Sequence, residues 1–212
     1  MPTVYNRSTV CTDHEVAVWA DAVQFQLNEQ FARAWDLGPW ALVADGSPRY
    51  ISFYVVDEDK DVPDALAYHD YDGRPVGVVL AKTCLEAGAS VSSALSHEVL
   101  ETRVDAFCNA THRNSDGWSY WREVCDAVQT QEYNVSGVTV SNFCRPHWFA
   151  PGSAFPYDWM GTLSRPFEVA PGGYQVRHKD LSESTVFGRL FGRKPQVLGE
   201  KPPWHGWRGL AR

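Results

Sequence analysis

The run VSSALSHEVLETRVDAF, Val91 to Phe107, sets His97, Glu98, Glu101 and Asp105 among residues that otherwise suit a buried helix. Imidazole and carboxylate are the side chains that ligate divalent metals and exchange protons near neutral pH. Their spacing decides which of these is open to them. On a helix turning about 100° per residue, with His97 at zero, Glu101 falls near ~40°, Asp105 near ~80° and Glu98 near ~100°. Leu100, Val104 and Phe107 flank this strip on one side, and Val91, Leu95 and Val99 on the other. The sector holding Ser96 and Arg103 is the one expected to meet solvent.

Burying ionised carboxylates without partners costs several kcal/mol each, and a bound cation offsets that cost directly. HExxE aims His97 and Glu101 at one point, while Glu98 lies on the same side and could hold a water as general base. A solvated acidic face, or a buried His–carboxylate–Arg network without metal, would explain the same spacing more plainly. The apolar flanks on both sides favour the metal.

A third ligand must come from elsewhere. Asp105 stands eight residues past His97, about 12 Å along a helix axis, and reaches the same ion only if the helix ends early. Glu123 in REVCD is the better candidate, because the intervening loop lets its segment fold back. That segment, YWREVCDAVQ, reads as a short helix whose Asp126 shares a face with Glu123 and orients His97 through its other ring nitrogen. Asp105 would then support that outer layer or tie down the loop near Asn109. His112, in the loop between the ligand segments, is a candidate transition-state donor beside the plainer account of a solvated loop residue. His69, next to a hairpin turn, is expected on the exposed face of a strand, and His147 beside Trp148 in packing. One histidine and two carboxylates suit a divalent ion, Zn²⁺ first, with Ca²⁺, Mn²⁺ and Fe²⁺ as competitors.

The elements that must position these groups are readable in outline. Thr12 and Glu15 form a capping box for a first helix with apolar spacing through Ala34, stopped by Gly38-Pro39. Strand-like runs follow at 40–45, 50–58, 65–71 and 75–82, the last two meeting at the Asp72-Gly73 turn signal. NVSGVTVSNF reads as a second hairpin, and the stretch from Arg145 to Tyr174 as irregular but packed. The order implies an α+β fold: a mixed twisted sheet with an N-terminal helix and a buried HExxE helix, then a loop-rich C-terminal half.

With His97-Glu98-x-x-Glu101, Glu123 some twenty residues on and Asp126 after it, the chain resembles the gluzincin branch of the zincin metallopeptidases. More closely, FARAWDL, AYHDYDGRPVG, LSHEVLETRVD, EVCDAVQ, VSNFCRPHWF and PGGYQ are similar to an uncharacterised family of HExxE zincin-like proteins in bacterial and phage genomes, over roughly residues 15–175. The resemblance implies a zincin-like fold in which PVGVVLAK is the edge strand that pairs with an extended peptide substrate. It also implies that Glu98 is the catalytic residue, with His97, Glu101 and Glu123 on the metal. Glu101 stands where a zinc peptidase has its second histidine. Two carboxylates neutralise a divalent ion, so its bound water is acidified less.

The chain of 212 residues carries a net charge of −7, which argues against a nucleic-acid-binding body. From Gly188 to Arg212, six basic residues face Glu200 alone, beside three prolines and Phe191, Trp204 and Trp207. Residues 1–180 are therefore expected to form the metal-binding domain and 181–212 a basic, aromatic, extended arm that docks on a protein partner or another copy. Of the whole chain, only the arm suits nucleic acid. The five cysteines form no CxxC pair, so buried thiols are expected over a Cys108–Cys125 disulfide. The N-terminus has no signal-peptide pattern and no stretch approaches a membrane span, which implies the cytoplasm of a bacterial host or a virion. Two functions compete: a metal-dependent peptidase, and a catalytically silent structural protein of a phage particle.

Overall fold

The computed structural model describes residues 2–42, 50–62, 65–150, 155–180 and 182–188. Thr12 starts the first helix as its capping box implies: its hydroxyl accepts from the Glu15 N–H, and the Glu15 carboxylate accepts from the Thr12 N–H. Helix α1 spans Asp13–Phe25, passes through a π-helical stretch at Gln26–Phe31 and ends as α2, Ala32–Ala34. The wider π turn keeps Leu27 and Phe31 in the core and swings Gln26 inward, where its amide donates to the Tyr133 hydroxyl and the Ser141 carbonyl.

Strands β1 (Thr3–Asn6), β2 (Ser52–Val56), β3 (Ala67–Tyr71) and β4 (Pro75–Leu80) form a mixed sheet in the order β1-β2-β4-β3. β1, β2 and β4 run parallel, and β3 returns antiparallel to β4 through a turn at Asp72-Gly73, with Gly73 at φ 68°. PVGVVLAK is therefore not an edge strand. β4 lies inside the sheet, β3 takes the end position, and Ala81 and Lys82 already belong to α3 (Ala81–Glu86). The run at 40–45 shows no strand at 40–42, and its remainder lies outside the described residues.

Helix α4, Val91–Val104, packs on this sheet and on α1. Phe53, Gly77 and His69 are neighbours across β2, β4 and β3 and so share one face. A Cβ at Gly77 would overlap the Phe53 ring and approach the Glu98 Cβ at 3.6 Å. Glycine is thus what lets the ring and α4 close over the sheet there. Leu95, Val99 and Leu100 meet Phe53, Val124, Val140 and Phe143 in the main core. Val62, Ala65, Tyr68, Val78 and Leu80 form a smaller cluster. Ser96 is not at the solvent: it is buried, donates to Gln26 Oε1 and accepts from the Ser141 N–H.

The C-terminal half holds more sheet than its composition implies. β5 (Thr111–Arg113), β6 (Ser119–Trp121), β9 (Tyr174–Lys179) and β10 (Ser182–Phe187) form an antiparallel sheet in the order β10-β9-β6-β5. β7 (Glu132–Val135) and β8 (Val138–Ser141) make the expected second hairpin. The expected helix over 120–129 contracts to a 3₁₀ turn at Asp126–Val128. Tyr120 and Trp121 are drawn into β6 instead, Tyr120 stacking on Phe167 with ring centroids 4.3 Å apart. The segment after Arg145 is irregular and packed, with a 3₁₀ turn at Pro146–Phe149 and a Cys144–Asp158 bridge.

β10 brings residues 182–187 of the expected arm into a sheet; the arm from 189 to 212 lies outside the described residues. All five cysteines are buried free thiols. Among the described residues, no helix is long and apolar enough to cross a membrane.

Candidate metal centre

Ser90 caps α4 by accepting from the Ser93 N–H, and the helix stops at Asp105, whose φ of −141° leaves the helical region. The Asp105 carboxylate then accepts from the N–H groups of Asn109 and Ala110, each at 2.9 Å. Asp105 therefore fastens the loop near Asn109, one of the two roles its position suggests, and it belongs to neither group of donors described below. Between these ends, α4 turns His97, Glu98 and Glu101 toward β3 and the 123–126 segment.

Glu101 is the centre of the arrangement, with 1% of its surface exposed. Its Oε1 lies 3.2 Å from His97 Nε2 and accepts from the Cys125 N–H, while its Oε2 lies 3.4 Å from His69 Nδ1. His97 Nε2 is also 3.2 Å from Asp126 Oδ1, and His69 Nε2 is 3.7 Å from Glu123 Oε2. Two sets of donor atoms lie within 4.8 Å of one another among the described residues: His69, Glu101 and Glu123, and His97, Glu101 and Asp126. His97 and Glu123, expected on one ion, thus fall in different groups that share Glu101. Asp126 faces the same nitrogen of His97 as Glu101 does, and not the other ring nitrogen.

His69 is the candidate donor that the sequence places on the wrong face of its strand. It is buried, because β3 carries it on the face that α4 covers. A lone strand histidine beside a turn gives no sign of which face a helix will cover. Glu98, expected to hold a water, has its Oε2 3.0 Å from His69 Nδ1, the same ring nitrogen that faces Glu101. Glu123 comes from the non-helical segment between β6 and the 3₁₀ turn. The Cys144 N–H donates to the Val124 carbonyl and holds that segment to the chain after β8, while the Cys125 N–H donates to the Glu101 carboxylate and ties it to α4.

His112, the candidate donor, sits on β5 with its ring 6.4 Å from those of both Phe149 and Phe167, and joins neither group. His147 packs edge-on against Tyr157, as expected. Tyr174 carries no sequence signal of a place at the site. Gly173 has no Cβ to strike the Ala127 carbonyl, so the start of β9 closes on the 3₁₀ turn and places Tyr174 beside the acidic groups.

The electrostatics reflect the crowding of acids around Glu101. Burial, reinforced by the charges of Asp126 and Glu123, pushes the Glu101 carboxyl up to about 8 against the pull of His97. Burial alone would lower His97, but the Glu101 charge and the Asp126 contact outweigh it and hold its protonated form well above the usual range. Burial, then the charges of Asp126, Glu101 and Glu123, raises the Tyr174 phenol well above its ordinary value. Both shifts favour a proton held within the buried His97–Glu101 pair. Among the described residues, Lys and Arg form ion pairs at Glu29 and Glu58, and none at Glu101 or Asp126.

The donors fit a divalent cation. Two ligand atoms each about 2.1 Å from an ion lie roughly 3–3.5 Å apart at ordinary coordination angles. His97 Nε2 and Glu101 Oε1 stand 3.2 Å apart, and His69 meets Glu101 through Nδ1 at 3.4 Å but Glu123 through Nε2 at 3.7 Å, so an ion takes one of its two ring nitrogens. What fold and site define together is an α+β protein with a buried imidazole–carboxylate group able to hold a metal ion. Comparison of the chain with protein-family models, curated proteins and solved structures finds no match.

Proposed function

We propose that this chain is a zincin-like metal-binding protein that holds a divalent ion at His69, Glu101 and Glu123. The observation that carries the reading is Glu101, a buried carboxylate facing an imidazole with each oxygen and crowded by two further carboxylates. Zn²⁺ is the first candidate, followed by Mn²⁺ and Fe²⁺, since imidazole with carboxylate suits all three. Ca²⁺ falls behind, because it prefers oxygen ligands. A bound ion would supply positive charge and Lewis acidity. Glu98 holds His69 in register, the Cys125 N–H holds Glu101, and α4, β3 and the 123–126 segment are tied at one point. Near-complete burial of the donors suits a closed, structural site.

The test is elemental analysis of the untagged protein beside Glu101→Gln. The expected result is at least one divalent ion per wild-type chain and its loss in the variant, with circular dichroism unchanged. A wild-type chain that takes up none of Zn²⁺, Mn²⁺ or Fe²⁺ would overturn the proposal.

Peptide hydrolysis is the second reading. It is favoured by His97, whose side chain keeps 14% exposure, and by β3, which carries His69 at the end of its sheet. Here Glu98 would pass between bonding His69 and accepting a proton from substrate water. Chelator-sensitive cleavage of a peptide library, lost in Glu98→Gln with the metal retained, would support it; cleavage unchanged in that variant would refute it. The basic residues beyond Gly188 carry our assignment of a protein partner or self-assembly in a phage particle. A chain truncated after Gly188 should keep its fold and its metal and lose self-association.

A further inference from the structure

We infer that α4 carries a second divalent-ion site, formed by His97, Glu101 and Asp126, with Glu101 bridging the two ions. This rests on the reading of His69, Glu101 and Glu123 as the first site. The two oxygens of Glu101 diverge: Oε1 faces His97 Nε2 at 3.2 Å, and Oε2 faces His69 Nδ1 at 3.4 Å. A carboxylate buried with one oxygen toward each of two donor groups is placed as a bridge.

His97 Nε2 stands 3.2 Å from both Glu101 Oε1 and Asp126 Oδ1. One N–H at that nitrogen cannot point squarely at two oxygens, whereas an ion between the three engages all of them. Asp126 is buried, and no donor reaches its Oδ2 within ordinary hydrogen-bond limits, the Tyr174 phenol being the donor that stands beside the carboxylate.

The charges of the set agree. Glu98, Glu101, Glu123 and Asp126 surround two imidazoles. With the imidazoles neutral, one divalent ion leaves the set negative and two balance it. Two histidines with four carboxylates are a donor set suited to paired Zn²⁺, Mn²⁺ or Fe²⁺. The two positions differ in access. The His69 side chain is 1% exposed and that of His97 14%, so the second ion lies nearer solvent and is the one a substrate oxygen could reach. Carboxylate-bridged ions about 3.5–4 Å apart serve hydrolytic chemistry by clamping the attacking and leaving oxygens.

Full-length protein stripped with a chelator should be dialysed to saturation against Co²⁺, counted by elemental analysis, and examined by electron paramagnetic resonance. The wild type is expected to bind two ions per chain with the exchange-coupled signature of a bridged pair. Asp126→Asn is expected to bind one, with an isolated Co²⁺ signal. Saturation of the wild type at one ion that Asp126→Asn retains would overturn the second site and leave the first standing. So would two ions without coupling, or two ions retained by Asp126→Asn. Uptake of no ion would remove both sites. The coupling measurement uses the wild type alone, so it decides the matter even if the variant fails to fold.

Discussion

Asp158 and Glu101 are both sealed from solvent, at 0% and 1% exposure, and the fold treats them in opposite ways. Asp158 is complete. Its Oδ1 accepts from the Leu163 N–H at 2.8 Å, and its Oδ2 accepts from the Asn142 amide at 2.7 Å and the Thr162 hydroxyl at 3.0 Å. Neutral donors, all pointing inward, stabilise that charge and fasten the irregular segment after β8. Glu101 has one backbone donor, two imidazoles and two acidic neighbours. A buried carboxylate can be finished by the chain's own dipoles or left for a cation, and the difference shows in whether its neighbours are donors or further acids.

The sharpest way to break this contrast is to delete each carboxylate in turn, with and without metal. Asp158→Ala strands the Asn142, Thr162 and Leu163 donors. It should cost about 3–5 kcal/mol in denaturant unfolding, by the usual penalty for breaking a buried charged network. That loss should be the same in chelator and in Zn²⁺; a metal-dependent loss would mean that Asp158 is coupled to the site.

Glu101→Gln should behave the other way. The wild type is expected to gain about 2.7 kcal/mol when free ion stands at 100 times its Kd, and the variant to gain nothing. In chelator the variant should be no less stable than the wild type at pH 8, since it removes a charge crowded by Asp126 and Glu123. The pH dependence follows from the same group. A carboxyl whose pKa rises to about 8 on folding, from an ordinary 4.5, takes up a proton as the chain folds. Its contribution is therefore full below about 4.5 and is lost as pH rises toward 8. Thermal unfolding of the metal-free protein should fall between pH 5 and 8, and the increment from added metal should grow over that range. A metal increment that shrinks with rising pH would contradict the assignment.

Gly77→Ala tests the packing that brings α4 onto β3. Its new methyl group must displace the Phe53 ring, at an expected cost of about 1–3 kcal/mol, together with weaker metal binding. The smallest effect belongs to Thr12→Ala. Removing the α1 cap should cost about 1 kcal/mol and leave metal affinity unchanged.

What could be read from the chain was local. The Thr12–Glu15 capping box, the Asp72-Gly73 turn and the double-flanked acidic strip of 91–104 each depend on residues within a few positions of one another, and each stands in the fold. Glu101 and Asp126 gather at His97, as a helix and a returning loop imply, while Glu123 faces His69 instead. Their grouping was not legible. It depends on which face of β3 meets α4, a tertiary fact that turned His69 inward and engaged Glu98 with its ring. Ser96 shows the same limit. A helical wheel left it at the solvent, but the π-helical swing of Gln26 and the approach of β8 buried it. The expected helix at 120–129 failed because Tyr120 and Trp121 pair with the neighbouring β5, and Tyr120 pairs also with Arg177 of β9, far along the chain.

The most direct test is an anomalous difference map from crystals of the untagged protein, grown with Zn²⁺ and recorded on both sides of the zinc absorption edge. The account expects a peak bonded to Glu101 and Glu123 and to one ring nitrogen of His69. A map with no peak among these side chains, while they keep their hydrogen-bonded positions, would contradict it.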